Sequence, residues 1–381
     1  MTKVSVVGGG NAGCITALYL SWFKRDLEVE LIYNPDIPCE RVGQATVLDP
    51  PKLLWAATGF NWYHNPIHAT FKSGILYEGW GQVNEEVYHG FPANGMAMHF
   101  CRWEMQKHVL YSGHFKVIES EVLDVNNIDA DYVFDCRGKP EEYSDYEELI
   151  NPTNACILAQ ANWDTSKAYW SRHVATPDGW TFVLPASESS PSHNCSVGYC
   201  YNSNITAEED AKRNFLDIFD VDITKSIEYK NYVVKNPIID DRIILNGNRL
   251  FFLEPLEGSA TQTYIEWNRY FLRRIVRGQD PFGDCKGASH YIKNYISHVE
   301  KFVLWHYQFG SKYDTPFWDY GKTLDVEEKY FNHVLNFSRT SNRIDNLPPC
   351  YGGDPQGNVY GQWGPYAFKL WEDGMLGVDT K

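Results

Sequence analysis

The stretch KVSVVGGGNAGCITALYL, residues 3–20, decides the fold. Lys3 to Val7 is an apolar, β-branched run that reads as a strand, and a helix is predicted from about Ala12 to Phe23. Between them Gly8, Gly10 and Gly13 spell GxGxxG. Gly8 permits the tight turn, Gly10 lets backbone approach a pyrophosphate, and Gly13 lets the helix pack close to the strand. The first helical N–H groups, around Asn11 and Ala12, then face the phosphate charge. A dinucleotide is expected here.

Three more segments extend that reading. VELIY at 29–33 is the second strand, but it ends in Tyr33 and Asn34 where an acid usually takes a ribose hydroxyl, so Asn34 and the neighbouring Ile37 become the candidate contacts. ADYVFDCRGKP at 130–140 is a strand ending in Asp135 and Gly138. RIILNGNRLFFLEPLEGSATQ at 242–262 is a strand, a Gly247-Asn248 turn, and an acidic, proline-containing entry to a helix. Together these segments predict FAD held by an α/β, two-dinucleotide-binding fold: a Rossmann-like parallel sheet, a β-rich substrate layer over about 140–235, and a helical C-terminal region. The expected division is a flavin module over 1–280, with FAD segments 1–75, 100–140 and 240–275, followed by a mainly helical 281–381.

Composition narrows the function. A net charge of −15 and a pI near 5.2 disfavour nucleic acid as a partner. No signal-peptide pattern and no uncharged apolar run of about 18 residues is present, which predicts a cytoplasmic protein with no membrane partner. The nine cysteines form no CxxC pair and read as free thiols, and no HxxxH or HExxH spacing suggests a metal.

FKSGILYEGW, residues 71–80, raises a separate question, because Lys72 stands among Phe71, Ile75, Leu76, Tyr77 and Trp80. On this stretch alone it reads as a lysine on the wet face of a strand, its stem over apolar neighbours. The wider pattern changes that. GGGNAG at 8–13, VGQAT at 42–46, WTFVLP at 180–185 and EPLEGSA at 254–260 resemble, in order, motifs of the flavin-dependent halogenases of the tryptophan halogenase family. GYCYNSNITAEEDA at 198–211 and LWHYQFGSKYDTPFW at 304–318 add to the resemblance. Among such enzymes the chain is short, and it is similar to the compact halogenases of marine cyanophages, which would place it in a host cytoplasm.

The resemblance implies that reduced FAD, supplied by a separate flavin reductase, and O2 oxidise a halide to hypohalous acid, which reaches an electron-rich small aromatic substrate. Lys72 becomes the catalytic lysine, acting either as an ammonium donor to the hypohalous oxygen or as a neutral amine that carries the halogen; burial among Phe71, Ile75 and Trp80 would lower its pKa. Glu257 becomes its partner and Glu254 a decoy. Gln44 and Ala45 fall beside the cofactor, and Ser259 and Ala260 at the halide. The family's Ser-Thr-Gly is Gly258-Ser259-Ala260 here, so bromide or iodide is expected over chloride.

Trp80, Trp180, Phe182 and His306 are substrate-pocket candidates. Their ordinary reading is core packing, since apolar alternation before Pro185 describes any half-buried strand. An aromatic monooxygenase that hydroxylates, or a flavin-binding protein without catalysis, are the other functional readings. VEEKYFNHVLNF at 326–337 predicts a helix. The Gly/Pro-rich 348–365, with Tyr351, Tyr360 and Trp363, reads as a surface loop that would otherwise cap the pocket or join a homo-oligomer.

Overall fold

The structure is a computed structural model that describes residues 1–39, 43–47, 49–81, 85–91, 97–163, 169–185, 194–276, 285–326 and 363–377. The expected helix over 326–337, and Tyr351 and Tyr360, lie outside the described residues.

The first sheet has six strands in the order Ile238–Ile239, Ile243–Leu245, Tyr132–Asp135, Thr2–Val7, Leu27–Tyr33 and Lys116–Glu119. All neighbours are parallel except the antiparallel edge Ile238–Ile239. Parallel strands need crossovers, and the first is the helix Asn11–Phe23, whose residues from Asn11 to Leu20 are all buried. That burial explains its apolar sequence around the circumference. The Asp135–Gly138 segment and the Gly247 turn lie beside this helix because Tyr132–Asp135 pairs with Thr2–Val7 and Ile243–Leu245 pairs in turn with Tyr132–Asp135.

A second sheet of seven strands runs Asp222–Glu228, Ala155–Ala161, Cys195–Tyr201, Gly179–Leu184, Ser171–Thr176, Gly74–Glu78 and Glu86–Gly90. It is antiparallel apart from one parallel pairing, Ser171–Thr176 with Gly74–Glu78. The expected layer over 140–235 thus also takes in Gly74–Glu78 and Glu86–Gly90. Local patterning does not reveal a pairing between strands so far apart in sequence.

A small antiparallel sheet of Gln44–Ala45, Ala97–Phe100 and Thr70–Lys72 bridges the two larger ones, with Lys72 opposite Ala97. The C-terminal helices Cys285–Gln308, Pro316–Lys322 and Pro365–Leu376 complete the described fold. Phe302, Trp305, Tyr307, Trp318, Trp363, Phe368 and Trp371 from this region share one buried cluster with Tyr77, Trp180 and Phe182 of the second sheet and with Trp80, just past its strand Gly74–Glu78. Among the described residues no helix is long and apolar enough to cross a membrane, and no side-chain cluster is arranged to hold a metal ion. Cys14, Cys39, Cys101, Cys136, Cys156, Cys195 and Cys200 are in no disulfide.

Candidate active site

Strand alternation sets the orientation of Lys72. Along Thr70–Lys72 Phe71 faces outward, 37% exposed, while Lys72 points inward and is 1% exposed. Phe71 therefore does not bury the lysine as expected; its ring meets Trp62 instead. The aromatic neighbour of the ammonium is Phe91, whose ring centroid lies 5.2 Å from Nζ. Burial pulls the Lys72 pKa down to about 8, and the Glu257 carboxylate opposes that fall. At neutral pH most of the population remains ammonium, with an appreciable neutral fraction.

Glu257 is fully buried in the turn before the helix Ala260–Tyr270 and adopts a left-handed φ of 69°. A non-glycine residue in that region carries strain that surrounding contacts must hold. Here the contacts converge on one oxygen. Oε1 accepts from the Tyr77 hydroxyl and lies 3.2 Å from His89 Nδ1 and 2.8 Å from His306 Nε2, whereas Oε2 is buried without a partner. Burial pushes this carboxyl up, but the imidazoles of His89 and His306 outweigh it and hold Glu257 well below the usual carboxylate range. Gly258 follows, also left-handed at 62°; a Cβ there would lie 3.8 Å from Lys72 Nζ and 3.6 Å from the Ala45 carbonyl oxygen. Lys72, Ala45 and the Glu257–Gly258 turn thus meet in one place, with Ser259 and Ala260 continuing into the helix.

His306 is brought in by the helix Cys285–Gln308, and Trp371 covers its ring at a centroid distance of 4.0 Å. The sequence reading misses Tyr77, His89 and His173 as parts of this site. Ile75 stands opposite His89 across two strands, so Tyr77 and His89 are diagonal neighbours on one face. Histidines interspersed among aromatics look like satisfied core residues. Here His89 Nε2 and His173 Nδ1 are buried without partners. Trp363, from the segment read as a surface loop, is 2% exposed and lies 5.2 Å from His89 and 6.0 Å from Phe91 between centroids.

Trp80 and Trp180 are fully buried, and their indole N–H groups are taken by the His173 carbonyl at 3.1 Å and the Tyr307 hydroxyl at 2.8 Å. They wall the site with Trp318 and Tyr307 and offer no spare donor. Phe182 lies against Gly198, where an added Cβ would fall 2.1 Å from its ring. Tyr307 also donates to Glu254, which burial pushes up to about 7.

The dinucleotide segment offers a cradle for FAD. A Cβ on Gly138 would meet nothing within 4 Å, and one on Gly10 would meet only the Arg102 guanidinium, at 3.6 Å. Asn11 Oδ1 is buried without a partner. Open space, a helix N-terminus and a guanidinium suit a pyrophosphate. Gly247 brings in the fourth segment: a Cβ there would lie 2.6 Å from that of Ala12, and Asn248 is held by its carbonyl, which accepts from Tyr232 Oη at 2.8 Å. Gln44 pairs with Phe100 beside Ala45. Tyr33 packs over Gly9 and donates to Glu119 of the next strand at 3.1 Å, so an acid reaches the end of the second strand from outside it. Asn34 uses its side-chain oxygen on the Asp36 N–H at 2.9 Å, and Ile37 is 67% exposed.

Comparison with known proteins agrees with this architecture. The chain is 20% identical to tryptophan 7-halogenase RebH of Lentzea aerocolonigenes over 86% of its own length and 80% of that protein's. Its structure matches MibH, a tryptophan 5-halogenase, with a TM-score of 0.82 at 17% identity, covering 100% of this chain and 86% of that one. A flavin-dependent halogenase from Xanthomonas campestris matches with a TM-score of 0.78 at 17% identity, over 98% and 88% of the two chains. The family described as Tryptophan halogenase matches residues 3–121 and 104–372, and the chain belongs to that family.

Proposed function

We propose that the protein is an FAD-dependent halogenase of small, electron-rich aromatic compounds in which Lys72 and Glu257 handle hypohalous acid. The observation that carries this reading is the buried ammonium of Lys72 beside a carboxylate anchored through Oε1 alone. Reduced FAD, drawn from a separate reductase, supplies with O2 the oxidation of halide to hypohalous acid. Lys72 donates a hydrogen bond to the hypohalous oxygen, which makes the halogen more electrophilic. Glu257 Oε2 takes the proton lost from the substrate carbon. Trp80, Trp180 and Tyr307 exclude water, which would disperse the oxidant and weaken both contacts.

Halide choice belongs to the Glu257–Gly258–Ser259 turn. Gly258 leaves the space beside Lys72 Nζ open where a side chain would narrow it. Bromide, larger and more easily oxidised, is therefore expected to be used in preference to chloride. The protein, with FAD, a flavin reductase and NADH, is given equal bromide and chloride and a panel of phenols, indoles and anilines; products are read by mass spectrometry. Brominated product should exceed chlorinated product at least about tenfold, a difference of ~1.4 kcal/mol in competing barriers. Mainly chlorinated product would remove the halide reading, and hydroxylated product would replace the function with that of a monooxygenase.

A further inference from the structure

Glu254 and Glu257 form an internal comparison. Both are buried and they lie three residues apart. Glu254 is met by uncharged donors, the Tyr307 hydroxyl and the hydroxyl and N–H of Thr153 at 2.8 and 3.3 Å, and burial prevails. Glu257 differs in having imidazoles against it.

The contacts of His306 restrict where a proton can sit. Nδ1 lies 2.6 Å from the Phe302 carbonyl oxygen, one turn back on the helix, and Nε2 lies 2.8 Å from Glu257 Oε1. A carbonyl only accepts, so Nδ1 carries hydrogen. A neutral imidazole would then point a bare Nε2 lone pair at a carboxylate oxygen, which 2.8 Å does not allow. One proton must lie in that gap. Trp371 at 4.0 Å and the Phe302 ring at 4.6 Å hold the imidazole in this orientation.

We propose that His306 is a positioning residue that shares one proton with Glu257 across the Nε2–Oε1 gap, fixing the carboxylate through Oε1 and keeping Oε2 as the acceptor for the ring proton. This rests on the halogenase reading. In that step the substrate C–H bond breaks, its electron pair returns to the ring, and the proton binds Oε2. Burial prevails and lowers the His306 imidazole, with Glu257 and the Phe302 carbonyl opposing it, so the shared proton rests on the two short contacts of the ring. The groups bearing on Glu257 are Lys72, Tyr77, His89, His173 and His306. The Tyr77 phenol is pushed well above its usual range, so it remains a neutral donor, and burial keeps the His173 imidazole uncharged, its pKa lowered to about 3.

Two measurements test the proposal. In protein labelled with nitrogen-15 histidine, one strongly downfield proton coupled to an imidazole Nε2 is expected at neutral pH and should vanish in both His306→Phe and Glu257→Gln. In turnover, His306→Phe should move the acidic limb of the kcat profile up by about one unit, because Glu257 loses a partner that keeps it ionised. From about pH 6 to pH 8.5 the loss is then nearly constant, and it grows toward about tenfold more only at acid pH, below the displaced limb. His306→Gln keeps an N–H donor but no shareable proton; it should show the wild-type KM and leave the limb displaced. Absence of the shared proton from the folded wild type, or an equal loss at every pH in both variants, would overturn the proposal. Absence of halogenated product in the wild type would instead remove the function reading, while the nitrogen-15 signal still decides the proton.

Discussion

Replacing Lys72 with alanine is expected to lower halogenated product by about 10³-fold or more, the scale of losing a buried donor aimed at a reacting oxygen, while FAD binding is unchanged. The reason is position. Lys72 is remote in sequence from the Glu257–Gly258 turn yet meets it, and its ammonium stands in a space walled by aromatic rings. Lys72→Met adds a stability test. A folded-state pKa of about 8 against an unfolded value near ~10.4 means that the unfolded chain binds more protons between those limits. Stability therefore rises with pH across that window, and below about pH 8 the buried ammonium costs its full penalty, on the order of 3 kcal/mol. Lys72→Met should melt higher than wild type at pH 7, with the gain shrinking toward pH 10, and be inactive. With the ammonium as donor, wild-type kcat should fall as pH rises through about 8. A rate that climbs through that pH would sink the ammonium role and assign the halogen transfer to the neutral amine; an active Lys72→Ala would remove both.

The four dinucleotide segments were legible in the sequence because each is local: a β-branched strand followed by glycine or an acid can be read within a dozen residues. Glu257 and Lys72 were reached through resemblance, and their surroundings were not. His89 and Tyr77 meet Glu257 from paired strands and His306 meets it from the helix Cys285–Gln308, so nothing in VYHG or GILYE marks them. Phe71 shows the opposite error. Its adjacency to Lys72 in sequence implied contact, but the pleat sends neighbours to opposite faces. Glu119 was missed for a third reason: the acid at the end of the second strand comes from the strand beside it, Lys116–Glu119, by parallel register.

The other large effect is expected at Gly13, where alanine should destabilise the fold by at least ~3 kcal/mol and abolish FAD binding. A Cβ there would lie 1.8 Å from the Gly8 carbonyl oxygen and 2.9 Å from its carbon, far inside contact distance. Gly8 cannot move aside. Its N–H is bound to the Ile32 carbonyl at 2.8 Å, its φ is 119°, and a Cβ of its own would sit 2.4 Å from the Cys136 carbonyl oxygen. The helix must therefore move instead, yet its residues from Asn11 to Leu20 are buried against neighbours on all sides. Moving it also separates Ala12 from Gly247 and withdraws the helix N-terminus from the cradle near Gly10 and Arg102. Gly59→Ala is the matched control: its φ of 72° makes alanine strained, but nothing lies within 4 Å, so only about 1 kcal/mol is at stake and FAD binding should survive. Thermal melts and FAD titrations of the two variants decide the matter. If Gly13→Ala melts and binds FAD like Gly59→Ala, the close approach of helix to strand does not hold the cofactor segment together.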